Sequence, residues 1–351
     1  MPRVFMDSTL KTQCKIAIVG AGSIGCYIGG CLASAQVDVT FIGRQRMQQQ
    51  LQSNGLTLTD WRGRQEYLAP ERLNYSLELS ALANADFILV TVKSGDTEAI
   101  AQDIAQHAKS SAVIVSLQNG VTNGDVLRQH LPSFTMLSGM VPFNVLTKGD
   151  GKLHCGTEGN IALEDSNNSA GELIAAFDSA RLSVEIYNDL RNIQWTKLLL
   201  NLNNAINALS GIPLLEELSD RTYRCILARA ISEALTVFKA AGIEPVKSGK
   251  IRPKIIPLVL SLPTWLYKIV ASSMLKIDPT ARSSMYEDFI LGRQTEIDYL
   301  NGAIVELAKT HHQVSPVNAA ITQLVKENAG KTGSPCLSSI DLEKEIKKLT
   351  R

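Results

Sequence analysis

The feature that most constrains this chain is an alternation of short apolar runs with helical stretches in its first half. The runs are nearly all apolar and rich in β-branched residues, and they lie at 15–19, 37–42, 87–92 and 112–117. Such runs suit strands that are buried on both faces, as in a parallel sheet. Candidate helices lie between them, for example at 24–35 and 97–108. The alternation predicts a doubly wound α/β domain.

The pattern changes near residue 188. Two more strand-like pieces occur around 160–164 and 183–187, and segments with helical periodicity follow at 193–209, 220–241, 284–307 and 317–327. A chain of 351 residues is long enough for two domains. We therefore predict an N-terminal tail at 1–13, an α/β domain at 14–187 and a mostly α-helical domain at 188–351.

Charge and cysteine content exclude several classes of partner. The 35 Lys and Arg residues nearly balance the 34 Asp and Glu residues, so no excess of positive charge is present to hold nucleic acid or an anionic membrane. The six cysteines form no C-x-x-C pair, and no His, Cys, Asp and Glu cluster has the spacing of metal ligands. Reduced thiols in a cytoplasmic protein without a metal site are predicted.

The most apolar late segment, at 255–275, approaches the length of a transmembrane helix. However, Pro257 and Pro263 interrupt this segment, and Lys268 lies inside it. We therefore predict a buried segment, or an apolar flap over a cleft, and no membrane span. The N-terminus has no apolar core of the kind that a secretory signal needs, so it is interpreted as a short tail.

A glycine motif directly follows the first apolar run. Residues 20–25 read Gly-Ala-Gly-Ser-Ile-Gly, a G-x-G-x-x-G pattern that also opens a helical stretch. The first glycine permits a tight turn, the second lets a pyrophosphate approach the backbone, and the third lets helix and strand pack closely. The helix N-terminus adds N–H groups and a partial positive charge. The motif predicts a dinucleotide site, and a ligand-free tight turn is the alternative.

The end of the second strand indicates which dinucleotide is bound. A site for NAD usually places Asp or Glu there, to accept hydrogen bonds from the ribose. This chain has Gly43 and Arg44 instead, with Arg46 close by. A guanidinium group can pair with a 2′-phosphate, which a carboxylate would repel. NADP is therefore favoured over NAD, unless both arginines are only solvated surface charges.

Polar residues share one face of an otherwise apolar helix at 193–209. Lys197, Asn201 and Asn204 stand at i, i+4 and i+7, so the prediction places them on one side. A polar stripe on a buried helix is costly to desolvate unless it is partnered. We expect it to line a polar cleft, while a snorkelling surface lysine with solvated asparagines is the alternative.

A second polar group of residues lies at 282–299. Ser284 and Glu287 fit a capping box, S-x-x-E, at the start of a helix. The hydroxyl and N–H groups of such a helix start can also hold a carboxylate. Glu296 falls in the same predicted helical stretch, where an exposed carboxylate is the alternative to a site residue.

Two loop residues follow the third and fourth apolar runs. They are Lys93 and Asn119, the latter followed by Gly120. In open α/β sheets, ligands bind beyond the carboxyl ends of the strands, so both residues are placed to reach a cofactor or substrate. Ordinary turn chemistry is the alternative for each.

Taken in order, these motifs resemble those of the ketopantoate reductase (2-dehydropantoate 2-reductase) family. The residues that carry the resemblance are GAGSIG at 20–25, VTFIGR at 39–44, VTVKSGDT at 90–97, LQNG at 117–120, WTKLLLN at 195–201, and SSM at 283–285 with GRQTEIDYLNG at 292–302. The resemblance implies a Rossmann-type domain, then a helical domain like the C-terminal domain of 6-phosphogluconate dehydrogenase. It also implies NADPH as cofactor and a small 2-oxo acid as substrate.

The resemblance assigns roles to individual residues. Those implied to bind the cofactor are Gly20, Ala21, Gly22, Ser23, Ile24, Gly25, Arg44, Lys93, Asn119 and Glu296. Those implied to bind the substrate are Asn119, Lys197, Asn201 and Ser284. Lys197 matches the proton donor of the family, and Glu296 matches a glutamate near the nicotinamide, so both are predicted to be catalytic. An ordinary lysine, with a pKa of about 10.4, is protonated at neutral pH and suits proton donation.

The sequence leaves alternatives open. Ala205 stands where some family members have a second asparagine, and Asn204 and Asn207 do not have the same phase. Another NADP-dependent reductase of a 2-oxo acid, or a catalytically silent NADP-binding sensor, therefore remains as an alternative to ketopantoate reduction. The sequence does not indicate the oligomeric state, and a homodimer is one alternative.

Overall fold

The computed structural model describes residues 14–247, 252–272, 278–331 and 333–350. The predicted tail at 1–13 and the last residues of the apolar segment, 273–275, lie outside the described residues. The chain divides into two compact units, of which the first ends at Leu190 and the second begins at Arg191. An α/β unit followed by a mostly helical unit confirms the predicted fold class.

The first unit holds all the strands of the described residues. They are β1 Lys15–Val19, β2 Asp38–Ile42, β3 Leu56–Asp60, β4 Gln65–Leu68, β5 Asn74–Ser76, β6 Phe87–Val90, β7 Val113–Ser116, β8 Thr135–Met140, β9 Val145–Thr147, β10 Lys152–Cys155, β11 Ile161–Glu164 and β12 Val184–Tyr187. Its helices are α1 Ser23–Ser34, α2 Gln45–Asn54, α3 Thr97–His107, α4 Asn123–His130 and α5 Gly171–Ser179.

The main sheet has the order β12-β11-β8-β7-β6-β1-β2-β5. From β8 through β5 every neighbouring pair is parallel. The four central strands β7, β6, β1 and β2 correspond to the predicted apolar runs, whereas β8 and β5 were not predicted. The last two strands depart from a wholly parallel sheet, because β11 pairs with β8 in the antiparallel sense. A separate four-stranded sheet, β4-β3-β10-β9, was not predicted from the sequence.

Alternate residues of β1 face two different apolar cores. Ile16 and Ile18 pack in one cluster with residues of α1 and α5. Ala17 and Val19 pack in another cluster with residues of α3 and α4. Successive side chains of a strand point to opposite faces, so a strand with no polar residue needs a layer of helices on each side. The sheet is therefore covered on both faces, as in a doubly wound fold.

In the second unit, the regular secondary structure of the described residues is helical, and loops join the helices. Its helices are α6 Arg191–Asn201, α7 Asn203–Ser210, α8 Leu214–Glu217, α9 Arg221–Ala240, α10 Ile256–Ser261, α11 Thr264–Val270, α12 Ser284–Ile290, α13 Asn301–Thr310, α14 Pro316–Asn328 and α15 Ser339–Leu349. The longest, α9, is capped by the Asp220 side chain, which accepts a hydrogen bond from the Thr222 N–H.

Two helices that the sequence predicts as continuous are interrupted. The predicted helix at 193–209 is divided at Leu202, although Leu202 keeps helical dihedral angles and its N–H donates to the Leu198 carbonyl. The predicted helix at 284–307 is wrong: α12 ends at Ile290, and Gly292 has the left-handed φ of +59°. A left-handed glycine after a helix is a stop signal, because it bends the chain away from the helix axis.

The apolar segment at 255–275 is only partly buried, so the prediction of a buried segment is wrong for much of it. Within α10 and α11, Ile256, Leu260 and Tyr267 are buried, whereas Leu258 and Trp265 are largely exposed. The reason is helical geometry, since a short helix turns only one face toward the core. Among the described residues, no helix is both long and apolar enough to cross a membrane.

The turn after β1 yields a prediction about stability. Gly20 has a φ of +101°, and a Cβ there would lie 2.5 Å from the Val92 nitrogen. Gly20→Ala should therefore lower the free energy of unfolding by roughly 1–3 kcal/mol from backbone strain, with the backbone clash adding to the loss. Denaturant unfolding of the purified protein measures the change.

Gly95→Ala is the control, because a Cβ at Gly95 would meet no atom within 4 Å. This substitution should change the unfolding free energy by less than about 0.5 kcal/mol. Equal stability of the two variants would contradict the proposed constraint at Gly20.

Candidate active site

Four loops of the first unit meet at the carboxyl edge of the parallel strands. β1 lies between β2 and β6, and β7 lies beside β6. The chain passes from β1 to β2 on one side and later returns to β6 on the other side of β1, and such a reversal of strand order forms a crevice for ligands in open α/β sheets. These four strands are followed by predicted cofactor residues, namely Gly20 after β1, Arg44 after β2, Lys93 after β6 and Asn119 after β7.

Two glycines of the motif are required by packing. The Thr91 hydroxyl donates to the carbonyls of Val19 and Gly20, at 3.1 and 2.7 Å, and fixes the turn against β6. A Cβ on Gly25 would lie 2.4 Å from the Gly20 carbonyl oxygen. The first and third glycines therefore let α1 start directly against the strands.

The second glycine has no such packing role. A Cβ on Gly22 would meet no atom within 4 Å, and Gly22 has an extended backbone that any residue adopts. Gly22 is also the N-cap of α1, with no side chain capping the helix. The N–H groups of the first helical turn have no partners within the helix and carry a partial positive charge. This arrangement fits a pyrophosphate that approaches the backbone at Gly22.

The remaining members of the motif line the same turn. Ala21 is buried, Ile24 is half-buried and packs on the core, and the Ser23 hydroxyl hydrogen-bonds to the Thr147 hydroxyl at 2.9 Å. Ala21 also contacts the neighbouring loop, since a Cβ on Gly43 would lie 2.9 Å from the Ala21 Cβ. The motif residues and the end of β2 are therefore adjacent.

Arg44 lies at the end of β2 with its backbone fixed and its side chain in solvent. Its carbonyl accepts a hydrogen bond from the Tyr75 hydroxyl at 3.1 Å, while its side chain is 88% exposed. The guanidinium pairs with Asp96 at 3.5 Å, and the Asp96 side chain is itself 54% exposed. Asp96 was not predicted as a neighbour of Arg44, because it lies 52 residues away and only the pairing of β1 with β6 brings it near.

A buried polar network joins the loops that carry Lys93 and Asn119. The Ser94 hydroxyl donates to the Asn119 carbonyl at 3.0 Å, and the Gln118 side-chain amide donates to the Thr97 hydroxyl at 2.7 Å. Lys93 and Asn119 are half-buried beside this network. These network residues were not predicted from the sequence, although a polar Gln just after a buried strand is a signal that could have identified one of them.

In the second unit, the structure brings Lys197 and Glu296 together. Lys197 is half-buried in α6, and burial lowers its pKa to about 8 because desolvation disfavours the ammonium form. The negative charge of Glu296 opposes this shift and raises the pKa. The ordinary lysine pKa expected from the sequence is therefore not retained.

Glu296 does not lie in a helix, contrary to the prediction. It is the residue immediately before a 3-10 turn, Ile297–Tyr299, after the loop that follows Gly292. Because that loop breaks the predicted helix, Glu296 is not fixed by helical periodicity. Its charge reaches Lys197 only through the folding of the unit, which no spacing in the sequence indicates.

The predicted capping box at Ser284 is also wrong by one residue. Ser283 is the N-cap of α12, and its hydroxyl accepts a hydrogen bond from the Tyr286 N–H. The same hydroxyl donates to the Asn204 carbonyl at 3.0 Å. Ser283 is buried against α7, which explains why it and not Ser284 caps the helix. Ser284 is the first helical residue and is exposed, so its hydroxyl is not used as the cap.

The asparagines of α6 and α7 differ in their environments. Asn201 lies one turn after Lys197 and is half-buried, as is Asn204. Asn207 is fully buried, with its side chain bonded to Glu217 and to the backbone of Ser283. Asn207 therefore makes its hydrogen bonds inside the unit. It does not replace the second asparagine that some family members have at the position of Ala205.

The polar edge of the first unit yields a binding prediction. Gly22→Ala should leave the thermal midpoint of unfolding unchanged within about 2 °C, because an alanine fits the backbone and the surrounding space. The same change should weaken binding of NADPH and NADH at least tenfold, since the methyl group fills the position that a pyrophosphate approaches. Titration of NADPH fluorescence measures the affinity.

Gly171→Ala is the control for this prediction, because Gly171 starts α5 and a Cβ there would also meet nothing within 4 Å. Its dinucleotide affinity should match that of the unmodified protein. Unchanged affinity in the Gly22 variant would exclude the glycine turn as the pyrophosphate site.

Comparisons with known proteins agree over both units. The family model "Ketopantoate reductase PanE/ApbA" matches residues 16–168, and the model "Ketopantoate reductase PanE/ApbA C terminal" matches residues 189–329. The chain is also similar to the 2-dehydropantoate 2-reductase of Halobacterium salinarum. The two are 27% identical over 318 residues, which cover 89% of this chain and 98% of the relative.

Solved structures show the same fold. A PanE/ApbA family ketopantoate reductase from Ralstonia eutropha JMP134 is 29% identical, with a TM-score of 0.76, and the match covers 90% of this chain and 98% of that one. A D-mandelate dehydrogenase, described in a ternary structure with NADH and anilino(oxo)acetate, is 22% identical, with a TM-score of 0.74 and the same coverage of both chains. The likeness at 22% identity concerns the fold alone.

Proposed function

Because this chain belongs to the ketopantoate reductase family, we propose that it reduces 2-dehydropantoate (ketopantoate) to pantoate with NADPH. Pantoate formation would place it in pantothenate and coenzyme A biosynthesis. The observation that carries the proposal concerns Lys197, which is half-buried. Burial lowers the pKa of its ammonium group to about 8, and the negative charge of Glu296 limits this fall. A general acid is most efficient when its pKa lies near the operating pH, and ketone reduction uses such a proton donor.

The proposed chemistry is the conversion of a 2-oxo acid to a 2-hydroxy acid. NADPH, when bound, supplies the hydride that forms the new C–H bond at the carbonyl carbon. The Lys197 ammonium group stabilises the negative charge that develops on the carbonyl oxygen, and it transfers a proton from Nζ to that oxygen. The hydroxyl group is thereby completed, and Lys197 is left neutral until it takes up a proton from solvent.

Other residues of the proposed site bind and orient. The exposed hydroxyl of Ser284 binds the substrate carboxylate, and Asn201 orients the substrate from the turn that follows Lys197. Asn119 contributes its side-chain amide from the loop after β7, to substrate and cofactor alike. Glu296 keeps the pKa of Lys197 from falling further, so that more of the ammonium form is present at neutral pH.

The preference for NADPH rests on the charge at the end of β2. Arg44 presents an exposed guanidinium group where a carboxylate would favour a ribose with a free 2′-hydroxyl. Lys93 is proposed to add a second positive charge at the same edge. The D-mandelate dehydrogenase of the same fold is described with NADH, so the fold alone does not decide the cofactor.

A second candidate function is reduction of a different 2-oxo acid by the same chemistry. Ala205 is fully buried and Asn207 is engaged with Glu217, so the second substrate-binding asparagine of some family members has no equivalent in α7. Consumption of NADPH with ketopantoate and with a panel of 2-oxo acids separates the two candidates. NADPH binding without turnover on any of them would support the sensor alternative.

The proposed enzyme is cytoplasmic. All six cysteines are free thiols, four of them buried, as expected where glutathione and thioredoxin keep thiols reduced. Burial raises the pKa of the Cys26 thiol to about 12, which makes it unreactive.

Replacement of Lys197 tests the proton-donor role. Lys197→Ala should lower kcat by roughly 100- to 10,000-fold, the usual contribution of a positioned acid, while NADPH still binds. The exposed Lys239 at the end of α9 provides the control, and Lys239→Ala should keep full activity. Steady-state kinetics with saturating NADPH measure both, and near-normal turnover of the Lys197 variant would reject the assignment.

The pH profile tests the pairing with Glu296. Reduction needs protonated Lys197, so kcat/KM for the 2-oxo acid should fall as pH rises through about 8. In Glu296→Gln the influence that raises the pKa is removed, so the fall should move to lower pH. An unchanged profile in this variant would show that Glu296 does not act on the group that titrates.

The ion pair of Arg44 and Asp96 gives a prediction on cofactor choice. Arg44→Ala should raise the KM for NADPH about tenfold, the loss of one charge-assisted contact, and leave the KM for NADH unchanged. Asp96→Asn should lower the KM for NADPH, because it removes a carboxylate 3.5 Å from the guanidinium group that is proposed to hold the 2′-phosphate.

Arg62→Ala serves as the control for both variants, since Arg62 lies in the turn between β3 and β4 and pairs with Glu158. It should change neither KM. A parallel change of the NADPH and NADH constants in the Arg44 variant would argue against recognition of a 2′-phosphate.

A further inference from the structure

Glu217 is a buried carboxyl group that the proposed reaction does not use. It is the last residue of α8 and has no exposed surface. Burying a carboxyl group is costly unless hydrogen bonds compensate for the loss of water. The Asn207 side chain donates to Oε2 at 2.8 Å, and the Ser210 hydroxyl donates to the same oxygen at 3.2 Å.

The other carboxyl oxygen is not satisfied within the part of the chain that the structure describes. Glu217 Oε1 is buried and has no hydrogen-bond partner there. Burial raises the pKa of Glu217 to about 7. Interactions with the side chains of Asn207, Asn203 and Ser210 lower the pKa but do not outweigh the effect of burial. A residue kept at this cost, with one oxygen unpaired, calls for a reason beyond packing.

The reason lies in the orientation of Asn207. Glu217 Oε2 is the acceptor in both of its hydrogen bonds, so the group of Asn207 that faces it is the donating Nδ2. The Asn207 Nδ2 also donates to the Ile212 carbonyl at 3.0 Å. The side-chain oxygen is thereby turned to the opposite side, where Oδ1 accepts the Ser283 backbone N–H at 2.8 Å.

The contact with Ser283 fixes the start of α12. The Ser283 backbone is held by Asn207, and the Ser283 hydroxyl bridges the Asn204 carbonyl and the Tyr286 N–H. Both anchoring residues belong to α7, which directly follows the helix of Lys197. Ser284 is the next residue after this anchor, and its exposed hydroxyl is the proposed ligand of the substrate carboxylate.

We propose that Glu217 is a positioning residue, which sets the orientation of the Asn207 amide and thereby holds Ser283 and Ser284 in place to bind the 2-oxo acid. The inference rests on the proposed function for the identity of the ligand. The chain of hydrogen bonds from Glu217 through Asn207 to Ser283 stands without it. Substitutions at Glu217 and at its exposed neighbour Glu216 have distinct expected consequences.

Glu217→Met removes the acceptor and keeps the volume of the side chain. It should raise the KM for the 2-oxo acid about tenfold, change kcat less than threefold, and leave the KM for NADPH unchanged. Glu217→Gln keeps an acceptor oxygen for Asn207 and should restore the KM to within about twofold of the original. Glu216→Gln, at the exposed neighbour in α8, is the control and should have no effect.

A double-mutant cycle with Ser284→Ala separates positioning from general damage. If Glu217 acts through Ser284, adding Glu217→Met to the Ser284→Ala variant should change the KM less than twofold further. The same increase in both backgrounds would overturn the proposal, as would an equal loss in the Met and Gln variants. Should the Met variant be too unstable to purify, Asn207→Ser carries the same test, because it removes Oδ1 from the Ser283 N–H.

Amide hydrogen exchange tests the relay without any substrate. Exchange of the Ser283 N–H should be at least tenfold faster in Glu217→Met than in the unmodified protein, and unchanged in Glu216→Gln. Unchanged exchange in the Met variant would overturn the relay whatever the enzyme reduces. If no 2-oxo acid is turned over but exchange responds as expected, the proposed function fails while the positioning of Ser283 by Glu217 is supported.

Discussion

The helical unit is governed by the cost of burying polar groups on α6 and α7. A polar group that loses contact with water on folding needs a partner inside the protein to offset that loss. Lys197 is compensated by the charge of Glu296, and Asn207 by Glu217 and the backbone of Ser283. The first leaves an ammonium group with a pKa of about 8, and the second ties the start of α12 to α7 through Asn207. Stability and chemistry therefore draw on the same set of contacts.

The α/β unit solves a different problem, which is crowding at the carboxyl edge of its parallel strands. Gly20 and Gly25 allow β1, β6 and the start of α1 to approach within contact distance. Gly22 is not crowded, since a Cβ there would meet no atom within 4 Å, and the N-terminus of α1 is therefore open. Because packing explains two of the three glycines and not the third, the motif combines a structural constraint with the surface that we propose for pyrophosphate binding.

Much of the fold follows from local pattern. The apolar runs predict β1, β2, β6 and β7, the central strands of the main sheet, because a strand that is nearly all apolar has to be covered on both faces. The four-stranded sheet of β4-β3-β10-β9 was not predicted, because its strands mix polar with apolar residues and some pair segments that are far apart in sequence, as β3 does with β10. The break at Gly292 was missed because apolar periodicity continues on both sides of it, although the left-handed glycine ends the helix.

The sequence by itself determined the strand–glycine–helix turn, the basic end of β2 and the placement of Lys197 and Asn201 one turn apart on a helix. These features depend on local sterics and helical spacing, which neighbouring residues specify. Only the tertiary structure decided which residues lie near them. It places the charge of Glu296 near Lys197, and it pairs Asp96 with Arg44. It also links Glu217 to Ser283 by hydrogen bonds that Asn207 makes to both. Such pairs are set by long-range packing, and the pKa of a group depends on its burial and on neighbours that no local spacing reveals.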